Sequence, residues 1–140
     1  MSQPEVKATI ENILQNSSVG TMATVQQNKP HSRYMTYSRN GLNLYTATSK
    51  QTHKVEEIEG NPFTHILLGY EGEGFGDEYV EYEGKIQISD SKELKKELWN
   101  PYMENWFEGP EDPNYIVLEI TPIQISLMNK KGTEPKILEL

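Results

Sequence analysis

The sequence predicts a mainly β domain of the α+β kind, a small antiparallel barrel of about six strands with about three or four flanking helices. Three observations lead there. Short β-rich runs are separated by turn signals, of which Asn40-Gly41 is the strongest. Residues 79–89 set Val80, Tyr82, Ile86 and Ile88 against Glu81, Glu83, Lys85 and Gln87, the period of a strand with one buried face. The helical patterns do not alternate with strands as a parallel sheet would require.

The elements follow in order. Residues 4–16 read as a helix: proline suits a first turn, and Val6, Ile10, Ile13 and Leu14 share one face. Residues 19–25 are β-rich and mostly apolar, and Gln27-Asn-Lys-Pro30 is a turn. Residues 31–39 alternate loosely, as a strand covered on both faces does. The Asn40-Gly41 turn returns the chain through residues 42–46, which with residues 19–25 makes a three-stranded meander. Thr48 followed by Gln51 is a capping-box pattern opening a short helix that carries Val55 and Ile58 and closes at Gly60-Asn-Pro62. Ile66-Leu-Leu68 marks a buried strand, and residues 71–77 form a Gly-rich loop. Ser91 caps a helix through Trp99, and Asn100-Pro101 restarts it. Residues 115–121 and 123–128 are strands broken by Pro122, and the tail from Asn129 is polar.

Composition narrows the function. A chain of 140 residues is one domain, residues 1–140, with a single core. It has no cysteine, which excludes disulfides, thiolate metal sites and thiol nucleophiles. A net charge of −8 provides no general field for nucleic acid or anionic lipid. No apolar run approaches the roughly 18 residues of a membrane span, and Met-Ser-Gln-Pro-Glu lacks the blocks of a signal peptide, so a cytoplasmic location is expected. His31, His53 and His65 share no metal-ligand spacing, and no metal site is expected. The glutamates present no distinctive acid–base pair, so no catalytic residue is assigned.

One stretch concentrates cations and hydroxyls. Arg33, Lys50 and Lys54 supply charge; Ser32, Thr46, Thr48, Ser49 and Thr52 supply hydroxyls. Both, with a helix N-terminus, are what a phosphate needs. Two readings are open: an ordinary capped helix with solvated lysines, or an anion site. A helix N-terminus contributes only about 0.3–2 kcal/mol, against about 8 kcal/mol for micromolar affinity. An anion site therefore needs Arg33 and an apolar ligand body as well. Arg33 and Thr48 lie about equally far from the Asn40-Gly41 turn, so a regular hairpin would bring them together. The Gly69-Tyr-Glu-Gly-Glu-Gly-Phe-Gly76 loop fits neither a Walker loop nor a dinucleotide fingerprint; it reads as a flexible hairpin connection. Trp99, Tyr102, Met103, Trp106 and Phe107 form the densest aromatic cluster, with Trp99 suited to the core and Trp106 to covering a ligand or a dimer interface.

At these residues a family resemblance emerges. Gly20-Thr-Met-Ala-Thr-Val, Lys29-Pro-His-Ser-Arg-Tyr-Met and Leu44-Tyr-Thr-Ala-Thr-Ser-Lys-Gln-Thr-His-Lys together resemble the FMN-binding split-barrel family related to pyridoxamine 5′-phosphate oxidase. Ile66-Leu-Leu-Gly-Tyr-Glu-Gly-Glu-Gly, Trp106-Phe-Glu-Gly-Pro-Glu-Asp-Pro-Asn and Ile120-Thr-Pro are similar to its bacterial general stress protein 26 branch. The resemblance implies a six-stranded split barrel, a homodimer, and FMN in the dimer groove. By analogy, Arg33 and Lys54 would pair with the FMN phosphate, aided by Thr52, His53 and the Ser49-Lys50 turn. Tyr34, Met35 and Thr36, with Thr46, Ala47 and Thr48, would face the flavin ring and ribityl chain, and Trp106 would approach from the second subunit.

Two departures matter. The oxidases' C-terminal Arg-Leu-x-Pro segment is missing; the end here reads Leu127-Met-Asn-Lys-Lys-Gly, which argues against vitamin B6 oxidation. Lys50-Gln-Thr-His-Lys also differs from the oxidases' Ser-Arg-Lys run. The leading expectation is an FMN-dependent oxidoreductase acting on a small-molecule redox substrate in a bacterial stress response. The alternatives are a non-catalytic protein that stores or senses FMN, and a barrel dimer that binds no flavin.

Overall fold

The computed structural model describes residues 1–72, 77–128 and 134–140. Helix α1 (Gln3–Asn16) starts at Ser2, whose hydroxyl accepts from the Glu5 amide, and buries Val6, Ile10 and Leu14. Strands β1 (Val19–Gln26), β2 (Lys29–Thr36), β3 (Ser38–Asn40) and β4 (Asn43–Ser49) precede helix α2 (His53–Gly60). Then come β5 (Phe63–Leu68), β6 (Tyr79–Ser89), α3 (Lys92–Leu98), a 3-10 helix (Pro101–Asn105), β7 (Tyr115–Met128) and β8 (Lys136–Ile137).

The strands form one antiparallel sheet in the order β2-β1-β5-β6-β7-β4-β3, with β8 paired to β7. The fold is thus mainly β, a curled antiparallel half-barrel with a few helices. Its two edge strands, β2 and β3, are consecutive in the chain and separated only by Tyr37. That continuity draws the edges of the sheet together. Thr46 Oγ1 on β4 donates to the Thr36 carbonyl on β2 at 2.7 Å, fastening the seam. Tyr37 turns its ring into the core and donates its hydroxyl to the Thr21 carbonyl at 3.1 Å. This inward turn splits the single strand expected at residues 31–39.

The expected meander is corrected accordingly. The Asn40-Gly41 hairpin forms, with Asn40 opposite Asn43 and Gly41 at φ 61°. However, β2 pairs with β1 through a hairpin whose turn residues, Gln27 and Asn28, both take positive φ, while β4 pairs with β7. Among the described residues the sheet holds eight strands, where about six were expected. One extra strand comes from the break at Tyr37; another is the tail strand β8.

Two further expectations change. Pro122 does not break β7: the register shifts by one at Glu83/Gly84, so that Gly84 faces Pro122 and Ile123 bulges out. A proline has no N–H to donate, and a bulge leaves the ladder intact on either side. The Thr48–Gln51 capping box does not form either. Thr48 is still paired in β4, opposite Ile116, and α2 starts after Thr52.

The core sits inside the curl, where Met22, Leu44, Ile66, Tyr82, Ile116, Leu118 and Ile120 are buried with α1 and Ile58 of α2. A second cluster, Tyr45, Met103, Tyr115 and Val117, lies on the other face of β4 and β7. Those strands are covered on both sides, which is why they read as nearly continuous apolar runs.

Candidate functional site

The second face of β4 and β7 opens into a cleft of about 460 Å³. Its floor is Tyr45, Ala47, Tyr115 and Val117. On the β2 side stand Tyr34, Met35 and Thr36, joined by Ser38. Thr46, Thr48, Ser49 and Thr52 line the corner where β4 gives way to α2. The facing wall comes from α3 and the 3-10 helix: Leu98, Asn100, Tyr102, Met103, Trp106 and Phe107.

The corner is built by hydroxyl and backbone bonds. Thr52 Oγ1 donates to the Ser49 carbonyl at 3.0 Å and lies 3.4 Å from Thr48 Oγ1, while the Ser49 hydroxyl accepts from the Gln51 amide. Thr52 is the N-cap of α2, yet its side chain makes no capping bond. The first-turn N–H groups of α2 are therefore not satisfied by their cap side chain, and such groups attract anions.

The facing wall is set by interlocked aromatic contacts. Tyr115 lies 5.1 Å from Phe107 and 5.7 Å from Trp99, ring centroid to centroid. Its hydroxyl donates to the Lys95 carbonyl at 2.9 Å, and burial pushes its pKa up. Lys95, itself buried, donates to the Asp112 carbonyl and lies 5.2 Å from the Tyr115 ring. The Asp112 carboxylate accepts from the Glu108 and Asn114 amides, each at 2.9 Å, and those bonds hold its pKa low. Trp106 packs edge-on against Tyr102 at 5.2 Å, and both remain about two-thirds exposed, at 65 % and 68 %.

Most of the residues singled out from sequence meet on this cleft: Tyr34, Met35, Thr36, Thr46, Ala47, Thr48, Ser49, Thr52 and Trp106. Within the one chain, Trp106 lines this cleft. Lys50 is exposed beside the corner, with its amide bonded to the Asn114 carbonyl. His53 and Lys54 open α2, but their side chains lie outside the described residues. So do residues 73–76 of the Gly-rich loop and residues 129–133, where the oxidase-type C-terminal segment was sought.

Arg33 is placed differently from the hairpin argument. It pairs with Met22 of β1, because β2 leaves the hairpin register before reaching it. It does not line the cleft. Its Nη1 donates to Thr24 Oγ1 at 2.7 Å, and its Nη2 lies 3.0 Å from Glu57 Oε2 on α2. Thr24 in turn donates to Glu57 at 2.5 Å. Burial opposes ionisation of Glu57, but the hydrogen bonds from Thr24 and Arg33 and the Arg33 charge outweigh it and hold the pKa below the usual carboxylate range.

Sequence reasoning missed Ser38, Tyr45, Leu98, Asn100, Tyr115 and Val117 as cleft residues, and it singled out Tyr102, Met103 and Phe107 only as members of an aromatic cluster. The two-sided apolar pattern of β4 and β7 was the available signal for Tyr45, Tyr115 and Val117. Nothing local marks Asn100, which read only as a cap.

This curled antiparallel sheet, with a cleft between its seam and a short helical wall, defines a split-barrel class of protein. The profile of the pyridoxamine 5′-phosphate oxidase family matches residues 6–129, and the chain belongs to that family. It is 54 % identical over 140 residues to General stress protein 26 of Bacillus subtilis strain 168, covering all of both chains. The crystal structure of General Stress Protein 26 from Bacillus anthracis is similar with a TM-score of 0.86 and 35 % identity, over 97 % of this chain and 99 % of that one. A FAD-binding protein of Mesorhizobium loti shares the fold at 19 % identity, with a TM-score of 0.70 over 86 % of this chain and 91 % of that one. Among the described residues no helix is long and apolar enough to cross a membrane, and no group of His, Asp and Glu could hold a metal.

Proposed function

We propose that the cleft binds flavin mononucleotide and that the chain is a flavin-dependent oxidoreductase. The observation that carries this reading is the pairing, in one cleft, of an anion-suited corner with an apolar floor. The corner offers the uncapped α2 terminus and the hydroxyls of Thr48, Ser49 and Thr52, with Lys50 and Lys54 adjacent in sequence. The floor and the β2 side offer the flat apolar surface a flavin ring needs, in a volume within the usual range for small-molecule sites. Family membership and the flavin bound by the Mesorhizobium protein support the same cofactor class.

When bound, a flavin supplies the redox chemistry, and the protein orients it and sets its surroundings. Thr48, Ser49 and Thr52 would hold the phosphate and ribityl groups. Tyr34, Met35 and Thr36 would flank the ring, and the aromatic wall would limit access of water. Arg33 acts through Glu57, which fixes α2 and thereby the corner.

One observation favours a second reading. Among the described residues lining the cleft there is no carboxylate, imidazole or ammonium to move a proton. That composition also suits a protein that stores or senses FMN without turnover. We further propose a homodimer, with exposed Tyr34 beside the cleft as part of the contact.

Purified protein should be yellow or should quench added FMN fluorescence at micromolar concentration. A colourless protein that leaves FMN fluorescence unchanged would overturn the flavin reading. If flavin binds, reoxidation of dithionite-reduced flavin by small acceptors supports turnover, and its absence with every acceptor supports storage. Sizing should give a dimer.

A further inference from the structure

The chain is 24 % charged, yet none of the described side chains lining the cleft is charged. A co-substrate carrying phosphate or carboxylate would meet no counter-ion on the facing wall. Exposed Lys50 follows β4 at the corner that the proposed flavin phosphate occupies, away from the facing wall, and Lys54, the next lysine in sequence, falls in the first turn of α2.

The wall instead presents two exposed aromatic rings, Tyr102 and Trp106, fixed edge-to-face at 63°. Such a pair offers a broad apolar surface to a flat ring. Beside them, Asn100 starts the 3-10 helix but makes no side-chain capping bond. Its amide lines the cleft with both a donor and an acceptor to offer.

From this we infer that the facing wall binds a neutral, planar aromatic compound bearing a carbonyl-type oxygen. Tyr102 and Trp106 take its ring, and Asn100 donates to its oxygen. The inference rests on the flavin keeping to the β2–β4 side of the cleft. Neutrality is favoured because no charged side chain among the described residues of the wall would offset the part of its hydration that an anion gives up there.

The test uses protein in the Trp99→Phe background, which leaves Trp106 as the only tryptophan. Protein with oxidised FMN is titrated with 9-fluorenone and with fluorenone-4-carboxylate while Trp106 fluorescence is followed. With the flavin oxidised throughout, the readout is binding alone. Fluorenone should quench saturably, and the carboxylate should need at least about tenfold more. Asn100→Ala and Tyr102→Ala should each weaken fluorenone about tenfold while retaining bound flavin, and Tyr102→Phe should restore most of the loss. Equal affinity for the two probes would overturn the inference, as would unchanged binding in both alanine variants. Loss of flavin together with fluorenone in those variants would also overturn it, since the wall would then belong to the cofactor. If the protein takes up no FMN, the flavin reading fails by itself, and fluorenone quenching of the flavin-free protein still decides for or against the wall.

Discussion

Arg33 and Glu57 form a partly buried ion pair at 3.0 Å, with the Thr24 hydroxyl accepting from one and donating to the other. Three elements, β2, β1 and α2, are fastened at this point. The pair lies behind the cleft corner rather than in it, so its influence on a ligand passes through the position of α2. Arg33→Ala leaves the Glu57 carboxylate buried, with Thr24 its remaining side-chain hydrogen-bond partner among the described residues. Removing one member of a buried pair costs about 3–5 kcal/mol, and solvent access to Arg33 points to the lower end. Denaturant unfolding should show that loss for Arg33→Ala and a smaller one for Glu57→Gln, which keeps the shape. Both should weaken FMN, Arg33→Ala by about tenfold or more. Tighter FMN binding in Glu57→Gln would instead mean that freed Arg33 contacts the phosphate itself.

The same pair sets an acid limb to stability. Glu57 has a folded pKa below its unfolded value. Its contribution is therefore fully present above the unfolded value, about 4.3, and is lost as pH falls through the lower folded value. Melting temperature measured down from pH 6 should fall below about pH 4, and less steeply in Glu57→Gln. Parallel acid limbs in the two proteins would show that other carboxylates dominate.

Gly84 shows how closely the bulge is packed. A Cβ there would lie 2.6 Å from Ile120 Cγ2, closer than real contacts come, and 3.0 Å from the Thr121 carbonyl, which is tight. Gly84→Ala must shift β7 at the bulge that accommodates Pro122, at a cost of about 1–3 kcal/mol. Gly109→Ala, where a Cβ meets nothing within 4 Å, should be nearly neutral. Comparing the two by thermal unfolding separates packing from the general effect of a lost glycine.

Most strands were legible because their signals are local. Alternation over residues 79–89 gave β6 its observed bounds, and Asn40-Gly41 marked its turn. What failed was non-local. The exit of Tyr37 from the sheet depends on the core side chains it packs among and on the Thr21 carbonyl, neither visible in residues 31–39. The fate of Pro122 depended on a bulge opposite Gly84, a strand away. The site followed the same division. Hydroxyls clustered at residues 46–52 were read from composition, and they do line the cleft. The partner of Arg33 sits on α2, and no spacing rule links them. Asn100 meets the cleft only because Tyr115 and Lys95 hold the α3 wall in place.

Thr46 separates a structural role from a ligand contact. Its hydroxyl is spent on the Thr36 carbonyl at 2.7 Å, joining β4 to β2 across the seam of the curl. Thr46 is 4 % exposed, whereas Thr36 is exposed, so water can replace the lost donor at that carbonyl. Thr46→Val should therefore cost only about 1 kcal/mol, the low end for a hydrogen bond, since valine fills the same volume. Denaturant unfolding and amide exchange along β2 should register this as a small loss of stability and faster opening at the seam. Because the two strands flank the cleft, FMN affinity should fall in proportion to the loosened seam. A large loss of FMN with stability unchanged would show the hydroxyl turning from Thr36 to the ribityl chain on binding.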